Sequence, residues 1–150
     1  MFRGRFEHSV DKKGRVSVPA RFREVLASCG ESKLVITTGL ENCLVAYPMT
    51  EWMRFEERLN ALPQFDRNVS KLKRIYVSGA VECDLDKMGR VLVPATLRKH
   101  ASLDRDVLWA GMGNYMELWS TTAFDALTDS VLGDDEEKQA IADRLAELGL

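Results

Sequence analysis

Aspartate and arginine stand four residues apart twice in this chain, at Asp11 and Arg15 within VDKKGRVSVP and at Asp86 and Arg90 within LDKMGRVLVP. Aspartate at the first position of a tight turn accepts backbone hydrogen bonds, and glycine at the fourth tolerates positive φ. Asp11 and Gly14, or Asp86 and Gly89, therefore define a turn, and the aspartate is placed to orient the arginine that follows. Lys12, Lys13, Arg15, Lys87 and Arg90 gather positive charge at the two tips. Such side chains suit a polyanion. Arginine bonds both acceptors on a guanine edge, lysine neutralises phosphate, and the major groove of duplex DNA admits a two-stranded ribbon. A lone Asp–Arg surface pair is worth about 1 kcal/mol or less. The second, matching copy is what marks the pair as a functional device.

Other chemistries find little material. Cys29, Cys43 and Cys83 are odd in number and widely spaced, with no C-x-x-C pair, which argues against a disulfide framework or a zinc site. His8 and His100 are the only histidines and stand apart. There is no G-x-S-x-G, no glycine-rich phosphate loop and no metal-ligand cluster, so the sequence predicts no enzyme, no cofactor and no small-molecule substrate.

The two motifs belong to a longer duplication. At an offset of 75, Asp11, Gly14, Arg15, Pro19 and Arg23 match Asp86, Gly89, Arg90, Pro94 and Arg98. The match continues at an offset of 72, where Gly39 meets Gly111, Asn42 meets Asn114 and Thr50 meets Thr122. In each copy an extended segment (Phe6 to Val10, or Val81 to Leu85) enters the turn, and R-V-x-V alternates as a half-buried strand does. This pattern predicts a β-hairpin with a four-residue tip. Proline in the first turn then opens a short helix over Ala20 to Leu26, or Ala95 to Ala101. Two apolar strands follow, LVITTG with CLVAY and DVLWAG with YMELW. Thr50 and Thr122 are candidate N-caps for the next helices. Residues 66–76 read as a helix linking the halves, and 134–148 as an amphipathic helix with Ile141, Leu145 and Leu148 aligned. Trp52, Tyr76, Trp109, Tyr115 and Trp119 fit a core or subunit interface better than base stacking. Met1, Phe2 and the strand around Phe6 are candidates to pair with a neighbouring subunit.

A chain of 150 residues and net charge −2 fits one domain or two very small ones. The charge is unevenly spread: residues 1–26 carry a net +4 and residues 133–150 a net −4, which fits an anionic partner at one end and equally a solvated surface with a solubilising tail. The boundaries drawn are a first module over 1–62, a linking helix over 63–78, a second module over 79–132 and an acidic tail over 133–150. No apolar run is long enough to cross a bilayer and the N-terminus lacks the apolar stretch of a signal peptide, so no membrane partner and a cytoplasmic location are expected.

The opening MFRGRFEHSVDKKGRVSVPARFR and the second DLDKMGRVLVPATLR together resemble the MraZ family of bacterial transcriptional regulators, over essentially residues 1–132. Each hairpin and helix also resembles the AbrB-type swapped-hairpin DNA-binding module. The resemblance implies a β-rich α+β fold in which two tandem AbrB-like modules form a pseudo-two-fold β-barrel with flanking short helices. It further implies a sequence-specific, nucleoid-associated DNA-binding protein. Such a protein assembles into a ring-like homo-oligomer, binds tandem short promoter repeats and represses its own division and cell-wall operon. Kindred modules carry a basic residue three positions before the aspartate, where this chain has His8 in one half and Cys83 in the other. AbrB-like modules also occur in antitoxins, and the alternative reading is an antitoxin-like or other protein-interaction module.

Overall fold

Each copy of the repeat sends its first strand into the other half. In the computed structural model, which describes residues 1–150, β1 (Arg5–Ser9) is antiparallel to β7 (Asp106–Gly111), with Phe6 opposite Trp109. In the matching exchange β5 (Val81–Asp84) pairs with β3 (Lys33–Thr38), with Val81 opposite Ile36. The short strands β2 (Arg15–Ser17) and β6 (Arg90–Leu92) pair with each other. The self-contained hairpins expected from the sequence are thus corrected. Within the first, only an isolated bridge from Val10 to Val16 survives at the base of the turn. The reason is burial. Alternation puts Val16, Val18, Val91 and Val93 on faces that are fully buried, and an isolated two-stranded hairpin has nothing to bury them against. Exchange between the halves brings all four into one core.

Strands β4 (Leu44–Pro48) and β8 (Met116–Ser120) complete a six-stranded sheet of order β1-β7-β8-β4-β3-β5, and β2 with β6 makes a separate two-stranded sheet. All pairings are antiparallel. With six α-helices the fold is α+β. No pairing joins the end strands β1 and β5, so the closed barrel expected from the resemblance is not among the pairings. The duplication is also in a different register from the one read in sequence. The pairing of Phe6 with Trp109 corresponds to that of Val81 with Ile36, which makes β3 and β7 equivalent 73 residues apart rather than 72. The loop before β4 holds one residue more than the loop before β8, and 72 is restored there.

Helices α1 (Ala20–Ser28) and α4 (Ala95–His100) begin directly after Pro19 and Pro94, which stand as extended N-caps rather than inside the first turn. The α1 helix buries Phe22 and Leu26. Phe2 and Phe6 meet the Phe22 ring edge-on at 5.4 and 5.2 Å, and Phe2 bridges Gly113, so the N-terminal segment expected to seek a neighbouring subunit is engaged within its own chain. In α2 (Met49–Asn60) the N-cap is Pro48, not Thr50. Thr50 instead donates its backbone N–H to Glu31 Oε1 at 3.1 Å, so a carboxylate distant in sequence satisfies this helix end. The linking segment forms α3 (Arg67–Leu72), capped by Asp66, and continues as a π turn over Lys73–Val77. Thr37, buried on β3, donates to the Tyr76 carbonyl at 2.6 Å and ties that turn to the sheet.

Residues 1–120 form one compact unit and 121–150 a second. The second contains α5 (Thr121–Leu132) and α6 (Asp135–Glu147). Thr122 lies inside α5 rather than capping it. Asp134 caps α6 by accepting from Glu136 N at 2.8 Å, and Ile141, Leu145 and Leu148 are all exposed. No helix is long and apolar enough to cross a membrane.

Candidate nucleic-acid interface

The two turns are built alike, atom for atom. Asp11 Oδ1 accepts from the backbone N–H groups of Lys13 and Arg15, both at 2.9 Å. Asp86 Oδ1 does the same for Met88 and Arg90, also at 2.9 Å. Gly14 and Gly89 close the turns at φ +89° and +75°, a conformation glycine adopts without strain. The second oxygen of each carboxylate holds the arginine: Arg15 Nε donates to Asp11 Oδ2 at 2.6 Å and Arg90 Nε to Asp86 Oδ2 at 2.9 Å. These bonds favour the charged carboxylate. The Arg15 N–H foremost, with its side chain and the Lys13 N–H, outweighs partial desolvation and holds Asp11 at about 2. The Arg90 N–H leads the same downward shift at Asp86.

The tips adjoin. Val18 N donates to Gly89 O at 2.9 Å and Val93 N to Gly14 O at 3.0 Å, so each turn is stitched to the strand end of the other copy. Val16 opposite Val91 marks the centre of this arrangement. Arg15, Arg90 and the exposed Lys12, Lys13 and Lys87 therefore share one region. Met88, which replaces Lys13 in the second copy, is 68% exposed.

Two further arginines, which the sequence matched but gave no role, belong to this region. Arg23 Nε on α1 donates to Val18 O at 3.0 Å, and Arg98 Nε on α4 to Val93 O at 3.1 Å. The signal that could have found them is an arginine kept four residues past the proline in both copies. All four arginines thus tether Nε to a protein oxygen, and their terminal nitrogens have no protein partner. In Arg15 and Arg90 that leaves the end of the guanidinium, with its paired N–H groups, for a planar acceptor such as phosphate or a guanine edge.

The position three before the aspartate adds no charge to this face. Cys83 is buried and burial pushes its thiol up to about 11. His8 is half-buried, and burial with the nearby Arg23 lowers its pKa, which keeps the ring neutral at pH 7. Neither half gains positive charge there. Trp109 is fully buried with Nε1 donating to Ser17 O at 2.9 Å, which locks the ribbon to the large sheet. Tyr47 and Tyr115 stack at 5.0 Å within an aromatic cluster that includes Trp52, Phe55 and Tyr76. No group of three or more His, Cys, Asp or Glu is placed to hold a metal ion.

The family model described as "MraZ protein, putative antitoxin-like" matches residues 1–75 and again 76–146. The chain belongs to the MraZ family. It is 40% identical over 150 residues, the whole of both chains, to the transcriptional regulator MraZ of Thermoanaerobacter sp. (strain X514). It is 41% identical over 145 residues, 97% of this chain and 96% of the relative, to that of Caldanaerobacter subterraneus subsp. tengcongensis. Against the transcriptional regulator MraZ of Heliobacterium modesticaldum it is 43% identical over the full length of both. MraZ is a family of transcriptional regulators and not of enzymes. The two matched segments each contain one Asp-x-x-x-Arg turn, so the duplication read from the residues and the MraZ repeat are the same feature.

Proposed function

We propose that this MraZ chain binds double-stranded DNA in a sequence-specific way and represses transcription of its own division and cell-wall operon through tandem short promoter repeats. The observation that carries the reading is the pair of arginines, Arg15 and Arg90, each held at Nε by its own aspartate with the terminal nitrogens free. Lys12, Lys13 and Lys87 supply phosphate contacts beside them. Asp11, Gly14, Asp86 and Gly89 hold the turns and do not touch DNA, since an exposed carboxylate facing phosphate is repelled. The ribbon and the large sheet are taken as the working parts of a pseudo-two-fold swapped-hairpin barrel, with modules over 1–62 and 79–132, a link over 63–78 and an acidic tail over 133–150.

A single face with so few cations binds weakly and with strong salt dependence. Self-association into a ring presents many such faces to several repeats and raises affinity through effective concentration. The place of action is the nucleoid in the cytoplasm. The test is gel retardation on DNA from upstream of the gene, at two salt concentrations, against random DNA of equal length. Preference for tandem repeats with a steep salt slope supports the reading. Binding no tighter than to random DNA overturns it and leaves the antitoxin-like reading named in the family description.

A further inference from the structure

We infer that Arg23 and Arg98 are positioning residues that act across the pseudo-two-fold, each seating the Asp-x-x-x-Arg turn of the opposite half. The observation is a crossed packing that occurs twice. A Cβ placed on Gly14 would lie 2.9 Å from Arg98 Cζ and 3.0 Å from its Nε. A Cβ placed on Gly89 would lie 2.8 Å from both Nε and Nη1 of Arg23. The first-half helix thus lays its guanidinium on the second-half turn, and the reverse. Each glycine is required twice over: by its positive φ and by the arginine that rests on its Cα.

The hydrogen bonds close the link. Arg23 Nε donates to Val18 O, and Val18 N donates to Gly89 O at 2.9 Å. Arg98 Nε donates to Val93 O, and Val93 N donates to Gly14 O at 3.0 Å. Each arginine is therefore fixed at its own strand end and presses on the turn that the same strand end receives from the other copy. Neither has a carboxylate partner, so a surface ion pair does not account for its placement. The crossing adds a side-chain clamp to two short turns that are otherwise held by their own aspartates and by one backbone hydrogen bond each from the other copy. A preorganised guanidinium loses less conformational freedom on binding, so the tethered poses of Arg15 and Arg90 depend on the helix of the other half.

Its affinity arm rests on the DNA-binding reading; its spectroscopic arm does not. In amide NMR of the full chain, Arg98→Ala is expected to move the resonances of residues 11–15, and Arg23→Ala those of residues 86–90. Should either alanine variant fail to fold, the lysine variant, which keeps the aliphatic stem but loses the Nε fork, is read at the same resonances. Shifts confined to the mutated half overturn the inference. In a double-mutant cycle on DNA affinity, Arg98→Ala with Arg15→Ala is expected to cost roughly fivefold less than the product of the single losses, whereas Arg98→Ala with Arg90→Ala multiplies. The salt slope is unchanged by Arg23→Ala or Arg98→Ala. A slope reduced by about one with multiplicative losses in every pair would make these residues plain phosphate contacts and overturn the positioning role. If the unaltered chain binds no DNA, the proposed function fails while the NMR result still decides this inference.

Discussion

Val16 stands opposite Val91 across the two-stranded ribbon, and the two occupy the same place in the two copies of the repeat. The pseudo-two-fold axis passes between them, and both are fully buried. Arg15 then lies opposite Leu92 and Arg90 opposite Ser17, so one arginine leaves the ribbon on either side of the axis. Truncation here weakens both turns at once. Val16→Ala and Val91→Ala are each expected to cost about 2 kcal/mol, from lost apolar burial and the cavity left behind. Because the two side chains share one space, the double variant is expected to depart from additivity. Urea unfolding of the two single variants and the double one measures all three.

The turns were legible because their chemistry is local. Asp11 to Arg15 spans five residues, and a carboxylate, a glycine and a duplicated pattern suffice to read it. What the residues did not reveal lies at long range. Alternation in R-V-x-V says which face is buried but not which strand lies alongside, so β1 and β5 were assigned to their own hairpins rather than to β7 and β3. Matching glycines at 39 and 111 placed β3 and β7 one residue out of register, because a loop of different length intervenes. Thr50 carried a good capping side chain, yet Glu31 reaches its N–H from another loop. Arg23 and Arg98 were visible as a matched pair, but their meaning depends on a glycine in the other half.

Trp109 is the one indole joined to the ribbon backbone, through Ser17 O at 2.9 Å. Ile36, its counterpart in the other half, has no N–H to offer. Trp109→Phe keeps a ring in the core but takes the donor away from that part-buried carbonyl, and is expected to destabilise by about 1–3 kcal/mol. The loss should exceed that of Ile36→Val, roughly 1 kcal/mol. Denaturant unfolding of both variants followed by far-UV circular dichroism gives the comparison. Equal losses would show that the indole N–H contributes nothing beyond packing.

Acid should test the first turn directly. Asp11 titrates at about 2 in the folded chain against an ordinary 3.8, because the Arg15 N–H, the Arg15 side chain and the Lys13 N–H favour the carboxylate. A folded pKa below the unfolded one means that the unfolded chain binds the proton first. The contribution of Asp11 is therefore complete above pH 3.8 and is lost as pH falls through about 2. Carboxyl-carbon NMR should give an Asp11 midpoint well below that of a free aspartate, and Asp11→Asn should flatten this part of the stability curve. An Asp11 midpoint at the ordinary value would mean that the turn hydrogen bonds do not form in solution.

The two turns share a geometry but not a charge. Lys12 and Lys13 flank Arg15, whereas Lys87 and the exposed Met88 flank Arg90, and His8 adds nothing because it is neutral at pH 7. The extra ammonium draws phosphate toward the first turn, so Arg15 works at closer range on a better-held backbone. Arg15→Ala is therefore expected to weaken DNA binding more than Arg90→Ala, each by about 1–3 kcal/mol. Met88→Lys should narrow the difference and steepen the salt dependence by about one unit. Gel retardation at two salt concentrations on the same promoter fragment measures all three variants. Equal losses for Arg15→Ala and Arg90→Ala would mean that Lys13 does not set the stronger grip, and that both turns bind DNA alike despite the substitution.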